Sequence, residues 1–406
     1  MTAPDFDQMS DRDITRRLKS LRSGAGYVGA ADELLVGRDD ETRILSGDLK
    51  LIAEGESSIR FVVGTYGSGK SMLLQWLEQE AHRRGMVVMR ADLSPNARLS
   101  STAGDTRRLL HQLTQNTSTR TRPKGNAFEA VLERFLQGVL KDSNGANLHA
   151  VVQERLADLV GFAGGPDMVH VVARYVEAHR TGDEDLRRRA LSWLRGEYAL
   201  RAFARSELGV QTVIDDADVF AYLRAFASFV QSAGYAGLVI VLDELTNLMK
   251  ALQHPTARLK NMEQLLHLYN DASSGHLGST MMVFGSTPET IDDERRGLAS
   301  YQALRRRLTG VATSDDAPVL RLGPLDDSDV EELAGRVLAV WNRSSEPPCS
   351  ASAAQITETV LARPSVRRIQ LSSIVAAMLE TIASHADPDL AGTAPSSVDA
   401  LTTLEL

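Results

Sequence analysis

One short segment, residues 64–71, constrains the fold of this 406-residue chain more than any other. Its sequence, GTYGSGKS, matches the phosphate-binding pattern G-x-x-x-x-G-K-[ST]. An apolar run at residues 58–63 precedes it, and residues 72–80 follow with helical spacing and no helix-breaking residue. A strand, a glycine-rich loop and a helix are the context that such a loop needs, so a chance glycine turn before an ordinary helix is disfavoured.

Each type of residue in this loop has a predicted role. Gly64, Gly67 and Gly69 are expected to adopt positive φ and to point backbone N–H groups inward. Lys70 would contact the β- and γ-phosphates of ATP, and Ser71 would bind Mg²⁺ through its hydroxyl. The predicted phosphate-side residues are Gly64, Thr65, Tyr66, Gly67, Ser68, Gly69, Lys70, Ser71 and Met72.

A second apolar run, residues 237–242, ends in the acids Asp243 and Glu244. At the carboxyl end of a buried strand, Asp243 is predicted to bind Mg²⁺ through a water molecule. Glu244 is predicted to take a proton from the water that attacks the γ-phosphate. A strand followed by an acidic turn is the simpler interpretation, but the phosphate-binding loop in the same chain disfavours it. The adjacent glutamate is typical of strand-catalytic-glutamate ATPases, whereas many GTPases and nucleotide kinases lack it there.

The apolar runs predict an α/β fold, a P-loop NTPase with a doubly wound parallel sheet. Strands are expected at residues 58–63, 86–89, 237–242, 280–284 and 319–322. Helices are expected at 128–140, 148–160, 168–179, 185–204 and 217–230, which is long for one connection between strands. We therefore predict a helical insertion at about 125–215, within an ATPase core at 34–323. An N-terminal tail and basic helix (1–33), a C-terminal helical lid (324–390) and a flexible tail (391–406) complete the predicted domains.

The bulk properties exclude several classes of protein. A hydrophobic content of 43% and a charged content of 24% are those of an ordinary globular chain. The net charge of −8 argues against a basic nucleic-acid coat, so any DNA contact would need a local patch. One cysteine, Cys349, fits a reducing compartment. Residues 1–10 lack an apolar signal core and no apolar run approaches ~20 residues, so we expect a cytoplasmic protein with no membrane contact.

Two basic stretches admit two interpretations each. The helix predicted to end near Arg22 carries five cations, and residues 186–195 carry four arginines beside Trp193. Either stretch would suit a partner or a nucleic acid. Solvated helix faces, with Trp193 in the core of the insertion, are the simpler interpretation and the favoured one.

The segment at residues 34–41 resembles a recurrent lead-in to AAA+ and related signalling ATPases, in which an apolar pair precedes Gly-Arg and an acid follows. The resemblance implies that Val36 and Gly37 contribute to the adenine pocket. A helix N-terminus with acids in its first turn explains the same residues, and the two interpretations can coexist.

The same resemblance assigns roles to other polar residues. Ser286 and Thr287, after the fourth strand, fit the place of sensor 1, which orients the attacking water; an ordinary strand-to-turn transition is the alternative. Among Arg305, Arg306 and Arg307, one arginine can act in trans on the γ-phosphate of a neighbouring subunit, unless the cluster is a solvated helix face. Arg367 lies in a region like sensor 2, with an exposed first helical turn as the alternative.

Several stretches that generic ATPases lack narrow the resemblance. Tyr66 in the loop, Ala-Asp-Leu-Ser at residues 91–94 and Thr-Arg-Pro at 121–123 resemble the ATP-binding proteins of BREX bacteriophage-defence systems, the BrxC/BrxD family, and the length is closer to BrxD. The resemblance extends to about Leu390 and implies ATP hydrolysis in a multi-protein defence complex acting on DNA. It also implies partners among the other defence-system proteins.

Three functional hypotheses remain open at this point. The chain is an oligomeric motor or remodeller that forms a ring, a slow nucleotide-gated switch, or an ATP-dependent DNA-binding module. An ABC transporter ATPase is disfavoured because the Leu-Ser-Gly-Gly-Gln signature is missing from the sequence.

Overall fold

The chain forms a five-stranded parallel β-sheet with many helices. The computed structural model describes residues 10–22, 34–143, 147–308, 315–364, 366 and 370–387. The strand order in the sheet is β2-β3-β4-β1-β5. The strands are β1 (Ser57–Val63), β2 (Val87–Asp92), β3 (Leu238–Asp243), β4 (Thr280–Ser286) and β5 (Val319–Arg321).

All five strands occur where the apolar runs predict them. Every residue of β3 and β4 is buried, as parallel strands covered on both faces require. Strand β3 pairs in parallel with β2 on one side and with β4 on the other, with Val87 opposite Leu238 and Leu238 opposite Thr280. The predicted α/β fold, like that of a P-loop NTPase, is therefore confirmed.

Helices make up most of the remaining described chain. They are α1 (Asp11–Arg22), α2 (Asp39–Ala53), α3 (Lys70–Arg83), α4 (Asp105–Gln115), α5 (Phe128–Ser143), α6 (Leu148–Arg155), α7 (Gly165–Thr181), α8 (Glu184–Leu194), α9 (Arg201–Leu208), α10 (Val219–Ser232), α11 (Leu245–Lys250), α12 (Pro255–Ser273), α13 (Pro288–Asp292), α14 (Gln302–Leu308), α15 (Asp327–Asn342), α16 (Ala353–Leu361) and α17 (Leu371–Ala386).

Two of the helices predicted between β2 and β3 are shorter than expected. The helix predicted over 185–204 ends at Leu194, because Gly196 has a φ of +71° and a glycine in this conformation terminates a helix. The chain becomes helical again only at Arg201. The helix predicted over 148–160 ends at Arg155 and continues as a 3-10 helix, Ala157–Gly161.

The chain divides into two compact units, and the division passes through β1 and β5. The first unit comprises Met1–Ile44, Val62–Leu77 and Leu320–Leu406, and the second comprises Leu45–Phe61 and Glu78–Val319. The domain bounds predicted from the sequence remain predictions.

The first unit has a core built from both ends of the chain. Helix α1 packs on α15 and α17, and Leu18 of α1 shares a buried cluster with Val337 and Ile374. Arg22 lies over the ring of Trp341, 5.1 Å from its centroid. Four of the five cations of this predicted basic helix are exposed, whereas Arg17 is buried beside Ile14 and Leu18 on the side that packs. Side-chain capping boxes begin α15 and α16.

The second unit contains β2, β3, β4 and the helices between them. In α8, Arg187 and Arg188 form ion pairs with acids one turn earlier, Glu184 and Asp185, and Trp193 is buried. The solvated-face interpretation therefore fits the exposed Arg188, whereas Arg187 is half-buried and also pairs with Glu129 of α5.

Candidate nucleotide-binding site

The segment from Gly64 to Ser71 forms a loop between β1 and α3, as predicted. Gly67 and Gly69 have φ of +77° and +92°, which glycine adopts at little cost. The prediction for Gly64 is wrong, since its φ is not among the positive values. Glycine is needed at this position because a Cβ would overlap Ser68 Oγ and lie 3.2 Å from the Cβ of Leu322.

The polar groups of the loop suit a polyphosphate. Lys70 Nζ donates hydrogen bonds to the carbonyls of Gly64 (2.9 Å) and Thr65 (3.1 Å) and so lies along the loop. Thr65 Oγ1 and Ser68 Oγ are buried and have no hydrogen-bond partner within the described residues. Two buried hydroxyls, an ammonium group and the start of α3 are the donors that phosphate oxygens need. The residues present therefore fit ATP phosphates.

Arg38 holds the main chain of the loop through hydrogen bonds to carbonyl groups. Its side chain is buried and donates to the carbonyls of Gly37 (3.0 Å), Ser68 (3.3 Å) and Gly323 (2.9 Å). Burial lowers the pKa of Arg38, and the charge of Glu41 opposes this change. Arg38 belongs to the Gly-Arg motif, but the sequence alone predicts no role for its side chain. A buried arginine bound to three carbonyls fixes the Gly-Arg lead-in against the loop.

A small cavity of about 110 Å³ lies beside the predicted base-binding residues. Val36 and Gly37 both line it, and Gly37 has a φ of +61° with Leu325 packed closely against it. Arg336 lines the cavity from α15 and donates to the carbonyl of Leu35 (3.1 Å). The predicted pocket residues therefore come together, while binding of adenine there remains a prediction.

The first turn of α17 lies against the loop. The backbone N–H of Ser372 donates to the carbonyl of Gly67 over 3.4 Å, and Ser372 Oγ lies 2.6 Å from where a Cβ on Gly67 would stand. Leu371 lies beside Gly69 in the same way. Arg367, the predicted sensor 2 residue, lies outside the described residues. Among the residues of α17, Leu371 and Ser372 therefore contact the loop.

In the second unit, β3 ends at the two predicted acids. Asp243 is buried, and its Oδ1 accepts a hydrogen bond from the backbone N–H of Glu244 (2.9 Å). Glu244 is exposed and has a φ of +59°, a conformation that a residue with a side chain rarely adopts. Strained conformations of this kind cost of order 1–3 kcal/mol and occur most often at functional sites.

Arg90 of β2 binds the other oxygen of Asp243. Its Nη2 lies 3.3 Å from Asp243 Oδ2, and its Nη1 lies 2.8 Å from Glu78 Oε1. Burial alone would lower the pKa of Arg90, but the carboxylates of Glu78, Asp243 and Asp92 outweigh it and raise the pKa. Burial raises the pKa of Glu78 despite the opposing charge of Arg90. This cluster is not among the features predicted from the sequence; its signal was an arginine within a mostly apolar strand.

The end of β4 carries the predicted sensor 1 residues. Ser286 is buried, and its hydroxyl donates weakly to the carbonyl of Thr287 over 3.4 Å. The hydroxyl of Thr287 lies 3.2 Å from that of Thr290, which donates to Thr246 Oγ1 over 2.9 Å. We call Thr246, Thr287 and Thr290 the threonine cluster. It joins the end of β4 to α11, the helix that begins directly after Glu244.

The three arginines of α14 point in different directions. Arg305 pairs with Glu294 (2.6 Å), and Arg307 donates to Asn270 Oδ1 (3.0 Å) and to the carbonyl of Ala303 (2.9 Å). Arg306 is exposed and makes no hydrogen bond or ion pair with the part of the chain that the structure describes. It is therefore the arginine of this cluster that is available to another molecule.

A comparison with families of known proteins assigns the chain. The family model described as BREX system ATP-binding protein BrxC/D matches residues 9–376. The chain belongs to this family. The resemblance found in the sequence is therefore confirmed, while the AAA+ subtype and the closer similarity to BrxD remain predictions. No curated protein matches the chain.

Membership in the BrxC/D family gives the chain an ATP-binding role in a defence system. The loop at Gly64–Ser71 is the candidate site for that ATP. In the described residues of this family member, no helix is long and apolar enough to cross a membrane. Over the same residues, no three His, Cys, Asp or Glu side chains form a group that would hold a metal ion by themselves.

Proposed function

We propose that the chain hydrolyses ATP in a Mg²⁺-dependent reaction and couples this reaction to the assembly or remodelling of a protein–DNA complex in phage defence. The observation that carries the proposal is the end of β3, where a buried aspartate precedes an exposed, strained glutamate. A strained backbone persists only where the surrounding structure enforces it, and the strained residue here is an exposed glutamate. A glutamate in this position suits proton abstraction from water.

Each site residue has a role in the proposed hydrolysis of ATP that follows from its side-chain chemistry. In the first unit, Lys70 would bind the β- and γ-phosphates, and the Ser71 hydroxyl would help to hold Mg²⁺. In the second unit, Asp243 would help to hold Mg²⁺ through a water molecule, and Glu244 would accept the proton of the attacking water. Mg²⁺ bound with ATP would neutralise charge on the phosphates. One protein carboxylate and one hydroxyl are enough for this ion, which is commonly held by few side chains plus the substrate phosphates.

Two substitutions test the proposal together. Glu244→Gln should leave ATP affinity unchanged and slow hydrolysis about a hundredfold, the loss expected for a general base. Lys70→Ala should weaken ATP binding at least tenfold, about 1.4 kcal/mol, by calorimetry. Glu154→Gln on α6 and Lys141→Ala on α5, both exposed, are the matched controls. Turnover near that of the unsubstituted chain in Glu244→Gln would contradict the proposed base.

Asp243→Ala separates metal binding from nucleotide binding. This variant should bind ATP equally well with and without Mg²⁺, whereas the unsubstituted chain should bind it better with the metal. An unchanged response to Mg²⁺ would remove Asp243 from the metal site.

A slow nucleotide-gated switch is a second candidate, and the contact of α17 with the loop favours it. Since Ser372 donates to the carbonyl of Gly67, nucleotide at the loop and the position of α17 are expected to influence each other. A switch predicts very slow turnover with a nucleotide-dependent affinity for a partner. A motor predicts turnover that DNA or a partner stimulates. DNA binding that needs ATP but not hydrolysis would favour the third hypothesis, the DNA-binding module.

An arginine acting in trans would require an oligomer, and Arg306 is the best placed of the three candidates. Arg306→Ala should spare ATP binding and lose most hydrolysis, since such an arginine is worth about a thousandfold or more. Mixing Arg306→Ala with Glu244→Gln subunits should restore part of the activity, because each supplies what the other lacks. Arg305→Ala is the matched control. Full activity of Arg306→Ala alone would make the motor hypothesis less favoured than the switch.

A further inference from the structure

After α4 the chain returns along the edge of β2 towards the amino end of that strand. Ser118 pairs in antiparallel fashion with Val88, with N···O distances of 3.0 and 2.8 Å. Two residues earlier, Asn116 Nδ2 donates to the carbonyl of Arg90 (3.2 Å). The chain therefore runs antiparallel to β2, from Arg90 towards Val88, and the residues after Ser118 lie beyond the amino end of β2. There the chain reverses in residues 119–125, which we call the basic turn.

Hydrogen bonds fix the shape of the basic turn. Thr119 and Arg122 exchange two backbone hydrogen bonds of 3.2 and 3.0 Å, and Pro123 restricts φ at the next position. The residues on either side of the turn are joined by a hydrogen bond from the backbone N–H of Asn126 to the carbonyl of Gln115 (2.9 Å). Asn126 has a φ of +57°, and within the described residues Glu244 is the other non-glycine residue with positive φ. The turn is therefore held in one conformation at a backbone cost.

This rigid turn displays three cations that have no acidic partner. Arg120, Arg122 and Lys124 are exposed, and none of their side chains makes a hydrogen bond or ion pair with the described residues. The arginines of α8 contrast with them, since Arg187 and Arg188 each pair with an acid. In a chain with net charge −8, a fixed group of unpaired cations produces a local positive potential that an anion would relieve.

The surroundings of the turn favour nucleic acid over an acidic protein. Protein interfaces have an apolar or aromatic centre, whereas phosphate backbones are bound by Lys, Arg and hydroxyl groups without one. The basic turn consists of Thr, Arg, Pro, Lys and Gly. The exposed large apolar side chains of the described residues are all elsewhere: Leu51, Tyr66, Leu140, Val160, Leu200, Phe203 and Leu259.

We propose that the basic turn, through Arg120, Arg122 and Lys124, contacts the phosphate backbone of a nucleic acid. The turn lies at the amino end of β2, whereas Asp243 and Glu244 lie at the carboxyl end of the neighbouring strand β3. Ligands of parallel sheets bind outside the carboxyl ends, so the basic turn is a separate surface within the second unit. The contact does not depend on the base sequence of the nucleic acid, because the phosphates are the same at every base.

The test measures nucleic-acid binding by the full chain without ATP turnover. Fluorescence anisotropy with a labelled DNA duplex, a single-stranded DNA and an RNA is recorded between about 50 and 200 mM salt. In the variant Arg120→Gln/Arg122→Gln/Lys124→Gln, the slope of log K against log salt should fall by about 0.9 for each lost duplex phosphate contact, or about 2.7 in all. The affinity at low salt should fall at least tenfold, about 1.4 kcal/mol.

Matched controls separate the turn from net charge and from folding. The variant Arg16→Gln/Arg43→Gln/Arg188→Gln removes the same charge from exposed arginines that pair with acids, and should keep both slope and affinity. Arg120→Lys/Arg122→Lys keeps the charge and should also keep the slope. ATP affinity and the thermal midpoint should be unchanged in the turn variant, which shows that the fold and the nucleotide site are intact.

Three outcomes would overturn the proposal. The first is an unsubstituted chain that binds none of the three nucleic acids, and the second is a turn variant whose slope matches that of the charge control. The third is a turn variant with unaltered nucleic-acid binding that loses binding of a purified acidic protein of the same defence system, which would make the turn a protein interface. None of these outcomes would alter the ATPase proposal, because its variants are tested on hydrolysis.

Discussion

The loop at Gly64–Ser71, the candidate phosphate-binding loop, and the acidic end of β3 are both short, but different groups hold them in shape. In the loop, Lys70 and Arg38 donate to main-chain carbonyls, and two glycines adopt positive φ. At the end of β3, Asp243 is held by the Arg90 side chain from a separate strand. The loop is thus shaped mainly by its backbone, whereas the strand end depends on a charged side chain about 150 residues away in sequence.

This difference indicates which substitutions each region tolerates. Adding a single Cβ should disturb the loop, since at Gly64 it would overlap Ser68 Oγ and at Gly67 it would lie 2.6 Å from Ser372 Oγ. Removing a partner should disturb the strand end, because a buried carboxylate without its partner loses a charge-assisted hydrogen bond. Three substitutions test this contrast.

The largest effect is expected from Arg90→Met. It leaves Glu78 and the buried Asp243 without their shared cation, so the free energy of unfolding should fall by about 1–3 kcal/mol in a urea titration. Arg188→Met removes an exposed arginine that pairs with Asp185, and should cost less than about 0.5 kcal/mol.

A double-variant cycle sharpens the result. Glu78→Gln combined with Arg90→Met should cost less than the sum of the two single substitutions, because Glu78→Gln removes the carboxylate that Arg90→Met leaves unpaired. Additive costs would show that Arg90 and Glu78 do not stabilise each other.

Gly67→Ala should have the next largest effect. A φ of +77° costs a side-chain-bearing residue about 1–2 kcal/mol, and the new Cβ would lie 2.6 Å from Ser372 Oγ. ATP affinity measured by calorimetry should therefore fall about tenfold. Gly85→Ala is the matched control, with a φ of +74° and open space around the Cβ. It should lower stability without changing ATP affinity; equal losses of affinity in both would contradict the argument.

Thr287→Val should have the smallest effect. It removes one hydroxyl from the threonine cluster but leaves the bond between Thr290 and Thr246, so about 0.5–1.5 kcal/mol of stability should be lost. Thr290→Val, which also breaks the 2.9 Å bond, should cost more. If the order of the two unfolding midpoints is reversed, Thr287 holds the cluster together instead.

The sequence predicts the local features well and the long-range ones poorly. All five strands and the loop follow from apolar runs and a spaced motif, both of which depend on neighbours in the chain. The expectation for Gly64 failed because its glycine is required by packing against Ser68 and Leu322, and such a contact leaves no local pattern. Arg90 and Arg38 were missed for the same reason: their partners, Asp243 and the carbonyl of Gly323, come from distant segments.

The packing of α1 on α15 and α17 has a consequence for synthesis of the chain. Leu18 is made about 300 residues before Val337, with which it shares a buried cluster. At a translation rate of 5–20 residues per second, α1 waits roughly 15 to 60 seconds for the surface that covers it. The segment with the phosphate-binding loop belongs to the same discontinuous unit. Folding of the first unit is therefore expected to finish after the ribosome has made α17, whereas the second unit can fold on the nascent chain.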